Sequence, residues 1–118
     1  MAWLSAHERD LLNDFLEKLQ QNFKGKILSV LLFGSRVRGE ATSESDVDLA
    51  VLVKQEDTDL RRAIRYLAVE ISLEYGLYIS TRVWSQAHWN RLKAIRTGLY
   101  RNIEQEGVVL LSAPLEQF

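Results

Sequence analysis

Gly34-Ser35 and Asp46-Val47-Asp48 stand ten residues apart, one at the end of an apolar run from Ile27 to Phe33, the other opening a run from Val47 to Val53. A glycine-serine step at the end of a strand offers backbone N–H groups and a hydroxyl to a phosphate, because glycine projects nothing that would hold the anion off. Two aspartates one residue apart on the next strand point to the same face, with Cα atoms about 7 Å apart. Carboxylates so placed grip hard cations held between them and a phosphate chain. The chemistry outlined is metal-dependent nucleotidyl transfer. A lone Gly-Ser dipeptide is more often a simple turn, so it is the paired aspartates at this spacing that give it meaning. Arg36 and Arg38 lie in the loop between the motifs. One of them could neutralise triphosphate charge while the other braces the loop against Asp46 or Asp48. Arg36 reads equally well as a surface arginine, and Arg38, followed by Gly39, better fits a structural or ion-pairing role. Ser43 and Ser45 suit local hydrogen bonds to the loop backbone.

The run Gly34-Ser35-Arg36-Val37-Arg38-Gly39, followed by Ser45-Asp46-Val47-Asp48-Leu49-Ala50-Val51, resembles the DNA-polymerase-β-type nucleotidyltransferase superfamily, whose signature is GS, a spacer, then DxD. The GSRxRG form and the small size are similar to the minimal nucleotidyltransferase branch, and the resemblance extends over nearly the whole chain, residues 1–118, as one domain. It implies an α+β fold, a mixed β-sheet flanked by α-helices. It also implies ATP with Mg²⁺, and an antitoxin role beside a HEPN-domain ribonuclease toxin that is inactivated by transfer of AMP to a tyrosine. In that scheme Gly34, Ser35 and Arg36 bind the nucleotide, while Asp46 and Asp48 are catalytic and hold the metal.

Members of the superfamily usually carry a third carboxylate on the later strand, beside the DxD pair. The candidate strand here reads Leu77-Tyr78-Ile79-Ser80-Thr81-Arg82-Val83-Trp84 and holds no acid. Its inward positions fall to Ser80 or Arg82 if Ile79 and Thr81 face away, and to Thr81 otherwise. A hydroxyl is a weak metal ligand, and an arginine repels a second Mg²⁺. Glu70 and Glu74 precede this strand and read as solvated helix charges. The rival to an enzyme is therefore a degenerate binding module that occludes its partner by contact. A P-loop NTPase is excluded because no Gly-x-x-x-x-Gly-Lys-Ser/Thr run occurs.

The elements that must position these residues are legible on either side. Ser5 and Glu8 form a capping box with Leu4 as staple, and Leu11, Leu12, Phe15, Leu16, Leu19 and Phe23 recur at helical spacing up to Gly25. A short helix begins near Ser35. Asp57 to Tyr75 is a long amphipathic helix with Gly76 closing it, and Leu77 to Trp84 alternates as a third strand. Ser85 starts a helix through about Ile95, Leu99 to Glu106 reads as another, and Val108 to Leu111 as a terminal strand or extended tail. Trp84, Trp89, Leu92 and Ile95 fit a core spacing, Tyr100 reads as a packing or partner aromatic, and His7 and His88 read as surface or capping residues.

At 118 residues the chain is one domain, too small for a catalytic domain plus an acceptor domain, so the acceptor comes from another molecule in a homo- or hetero-oligomer. The net charge of −1 gives no electrostatic footprint for duplex nucleic acid, which is not expected as the main partner. There is no cysteine to build a disulfide framework or a thiolate zinc site. The N-terminus lacks the pattern of a signal peptide, so the expected location is the cytoplasm with no membrane partner.

Overall fold

The computed structural model describes residues 4–42 and 45–112. In chain order these form α1 (Ala6–Asn22), β1 (Ile27–Phe33), α2 (Ser35–Arg38), β2 (Val47–Val53), α3 (Thr58–Tyr75), β3 (Ile79–Ser85), α4 (Gln86–Ile95), α5 (Gly98–Glu106) and β4 (Val108–Ser112). The four strands make one sheet in the order β3-β2-β1-β4. β1 pairs antiparallel with both β2 and β4, whereas β2 and β3 run parallel, joined by the crossover that contains α3. The result is a mixed sheet flanked by helices in one α+β domain.

The four longer helices each start where a side chain satisfies a free amide. Ser5 Oγ accepts from the Glu8 N–H at 3.1 Å, and Glu8 Oε1 accepts from the Ser5 N–H at 2.8 Å, completing the expected box. Asp57, Ser85 and Thr97 cap α3, α4 and α5 in the same manner. Gly76 ends α3 in the left-handed conformation that an unbranched backbone adopts without strain. β3 begins at Ile79 rather than Leu77, although the Tyr78 carbonyl already accepts from the Val47 N–H at 2.8 Å.

The two faces of the sheet are buried against different helices. Val30 and Leu32 of β1, Val47, Leu49, Val51 and Val53 of β2, and Ile79 and Val83 of β3 pack with α1 and α3 in the larger core. On the opposite face Phe33, Ala50 and Ile103 gather Leu31, Trp84, Trp89 and Leu99 under α4 and α5. Trp89 lies between Trp84, 5.8 Å away, and Tyr100, 4.8 Å away, so Tyr100 is a packing aromatic. Ile95, expected in the core, is instead 71% exposed, since it ends the last turn of α4 on the solvent side. Tyr66, Val69 and Leu73 also stand exposed, on the outer face of α3. No helix among the described residues is long and apolar enough to cross a membrane.

Phe15 is fully buried between α1 and the sheet, whereas Leu73 on α3 is 81% exposed. Phe15→Ala is expected to cost about 3–5 kcal/mol. Leu73→Ala should stay within about 0.5 kcal/mol of wild type. Urea unfolding of both variants checks this placement of the core.

Candidate active site

β1 delivers the chain to Gly34, whose φ of 85° and ψ of −156° take the backbone out of the strand and into α2. A Cβ added at Gly34 would lie 2.3 Å from Asp48 Oδ2. Glycine is required there twice over, by its positive φ and by the carboxylate against it. The contact follows from pairing, since Phe33 is opposite Asp48 in the β1–β2 ladder. The Gly34 carbonyl accepts from the Val37 and Arg38 amides at 3.2 and 3.3 Å, and Gly39, with φ of 74°, closes the turn. The Ser35 hydroxyl makes no hydrogen bond with any described residue.

Asp46 is exposed and Asp48 half-buried. Burial, reinforced by the charge of Asp46, pushes the Asp48 carboxyl above its ordinary value, although Arg82, Arg36 and Arg38 pull it back. Two adjacent carboxylates with incomplete compensation could hold a cation. The donor set is all oxygen, which suits a hard divalent ion such as Mg²⁺, and the missing Cβ of Gly34 keeps the face of Asp48 open.

The β2–β3 register decides what stands beside this pair. Asp48 is opposite Ser80, Ala50 opposite Arg82, and Leu52 opposite Trp84, so these residues share one face. Ile79 and Val83 are buried on the other, which takes Thr81 to that side as well and leaves Ser80 and Arg82 as the β3 neighbours of the aspartates. Among the described residues no group of three His, Cys, Asp or Glu side chains comes together to hold a metal ion. Glu70 and Glu74 are exposed on α3, which packs against the opposite face of the sheet.

Arg36, expected to bind nucleotide, is engaged within the fold. It is 7% exposed, with Nε donating to Glu8 and Nη1 donating to the carbonyls of Ser45 and Asp46 at 2.6 and 2.8 Å. Those bonds tie α1, α2 and the segment entering β2 together, so the guanidinium braces the aspartates from behind. Arg38 takes the ion-pairing role expected of it, donating to Glu40 and Glu106 at 3.1 and 3.2 Å. Ser45 Oγ accepts from the Thr42 N–H at 2.9 Å, the local role expected; Ser43 lies outside the described residues. His7 Nε2 bonds the Tyr75 carbonyl at 2.6 Å and joins α1 to α3, and His88 Nδ1 is 3.2 Å from an Arg91 nitrogen.

Glu8 is the residue that sequence reasoning missed. Its place in a capping box was evident, but that box uses only Oε1, leaving Oε2 for Arg36. Burial pushes the Glu8 carboxyl up, and the hydrogen bonds from Ser5 and Arg36 outweigh it, holding the group below its ordinary value.

This α+β arrangement is that of a nucleotidyltransferase. The chain belongs to the nucleotidyltransferase domain family, whose model matches residues 12–110. It is 34% identical over 104 residues to the "Putative protein adenylyltransferase MJ0604" of Methanocaldococcus jannaschii, covering 88% of this chain and 98% of that protein. Among solved structures, the toxin–antitoxin pair MntA–HepT aligns with a TM-score of 0.56 at 19% identity, over 92% of this chain and 76% of that one. A toxin–antitoxin complex with AMP-PNP aligns with a TM-score of 0.56 at 22% identity, over 88% and 76%. At such identities these two share the fold.

A carboxyl held below its unfolded value adds stability above that value and loses it as the pH falls through the folded one. Glu8→Gln should therefore cost about 1–3 kcal/mol at neutral pH, by leaving the buried Arg36 without its anion. The difference from wild type should shrink through the acid range as Glu8 itself is protonated. Urea unfolding at a series of pH values measures it; a gap that does not change with pH would remove the charge from the account.

Proposed function

We propose that the protein binds ATP with Mg²⁺ and transfers AMP to a tyrosine hydroxyl of a HEPN-domain toxin, acting as its antitoxin in the cytoplasm. The observation that carries this reading is the approach of Gly34 to Asp48, which brings the end of β1 and the paired aspartates of β2 to one corner of the sheet. The name of the M. jannaschii relative supports protein adenylylation, and the MntA–HepT and AMP-PNP structures support a toxin partner and an adenine nucleotide. In this reading residues 1–118 act as one minimal nucleotidyltransferase domain, and the acceptor belongs to the partner.

Gly34 and Ser35 position the β- and γ-phosphates through backbone N–H groups and the Ser35 hydroxyl. Asp46 and Asp48 hold the cation, which when bound offsets phosphate charge and aligns the triphosphate. The partner's tyrosine oxygen attacks the α-phosphorus, the bond to the bridging oxygen breaks, and pyrophosphate leaves. Arg36 contributes by fixing the Asp46 backbone, so the aspartates do not reorganise during the reaction. Since β3 sets Ser80 and Arg82, and no acid, beside Asp48, the tyrosine proton leaves to the partner or to water. The rate then rests mainly on alignment and charge neutralisation.

The absence of a third acid beside Asp46 and Asp48 among the described residues also favours a second reading, a module that silences its partner by contact alone. ATP labelled on its α-phosphate and incubated with the co-purified pair separates the two. Label is expected on a partner tyrosine, and Asp48→Asn should lower the transfer rate by 10²-fold or more (roughly, from the loss of one charged contact to the reacting phosphates). A partner that stays unlabelled but is silenced equally well by Asp48→Asn would establish the contact reading instead.

A further inference from the structure

Arg82 is not explained by the fold. It lies on the edge strand β3, opposite Ala50 and one pair along from Ser80, on the face that carries Asp48. Diagonal neighbours on one face of a sheet lie within reach of a long side chain, and the small Ala50 between them puts no bulk in the way. Arg82 is exposed and makes no hydrogen bond or ion pair with any described residue. The two arginines of the loop, by contrast, are both engaged: Arg36 with Glu8 and two carbonyls, and Arg38 with Glu40 and Glu106. Among the described residues, Arg82 is thus a cation on the face of Asp48 with no structural duty.

The charge balance of the site indicates what it is for. A bound triphosphate and two carboxylates together bring several more negative charges than one divalent cation offsets. A second cation needs a third acidic ligand, and β3 presents a serine and an arginine on this face instead. A guanidinium stays charged at all working pH values, offers two parallel N–H donors that match phosphate oxygens, and repels a second metal ion.

We propose that Arg82 is a phosphate-binding residue of this site, its guanidinium doing on β3 the work of a second metal ion, so that the nucleotide is held with a single divalent cation. The proposal rests on the nucleotide-binding reading above. It differs from a surface role in requiring the forked geometry: an exposed charge that merely guards the sheet edge would be replaced equally well by lysine.

The test uses the full chain with AMP-PNP and Mn²⁺, counting bound metal by electron paramagnetic resonance and nucleotide affinity by calorimetry. Wild type should bind one Mn²⁺ per nucleotide. Arg82→Gln should weaken nucleotide binding about 10- to 100-fold, the loss expected for charged hydrogen bonds, with an unchanged melting temperature in the absence of ligand. Arg82→Lys should recover only part of that loss, and Arg82→Asp should take up a second Mn²⁺. Two Mn²⁺ in the wild-type complex, or wild-type affinity in Arg82→Gln, would overturn the inference while leaving the nucleotide site intact. Wild type that binds no nucleotide at all would overturn the nucleotide reading, and this inference with it.

Discussion

The buried guanidinium of Arg36 joins three parts of the chain that are distant in sequence. Glu8 on α1 takes its Nε, and the carbonyls of Ser45 and Asp46 take its Nη1, while its own backbone lies in the turn after Gly34. The thirteen residues between β1 and β2 would otherwise sample many paths. Arg36 selects the one in which Asp46 arrives at the start of β2 at a fixed height. Because its partners include two backbone oxygens, the brace acts on where the loop runs rather than on any one side chain. Removing a member of such a buried network leaves the others unsatisfied, so its cost exceeds that of a surface ion pair.

In front of this brace the chain accepts an electrostatic penalty. Asp48 is half-buried, has Asp46 as its near neighbour, and lies against Gly34 with no space for a side chain between. None of this favours folding: Asp48 is held above its ordinary value, so its ionisation works against folding as the pH rises from that ordinary value through the raised one. The larger core, under α1 and α3 on the opposite face, stabilises the sheet independently of the site. The division lets one face carry unfavourable charge while the other supplies stability, the arrangement expected where a cation and a polyanion complete the structure.

The strands and helices were legible because each begins with a capping side chain or ends at a glycine, and because β1 and β2 are nearly continuous apolar runs. The closeness of Gly34 to Asp48 was legible for the same reason: their placement follows from the ends of two strands. Three features were not. The facing of Ser80, Thr81 and Arg82 depends on the parallel register with β2, which the sequence of β3 leaves open, since its residues alternate acceptably either way. The position of Arg36 depends on Glu8, 28 residues earlier, and only the fold brings α1 to the loop. Ile95 continued the apolar spacing of α4, but the helix ends there and leaves it exposed.

As proposed, Asp46 and Asp48, held by the Arg36 brace and opened by Gly34, form a site for a nucleoside triphosphate with its metal. Titration calorimetry of ATP into the wild type, with and without Mg²⁺, tests it most directly, with Asp46→Asn and Asp48→Asn as companions. Binding that needs Mg²⁺ and is lost in both variants is the expected result, because a triphosphate beside two uncompensated carboxylates is repelled. Tight binding that persists without Mg²⁺ and in both variants would contradict the account, since the nucleotide would then be held somewhere else.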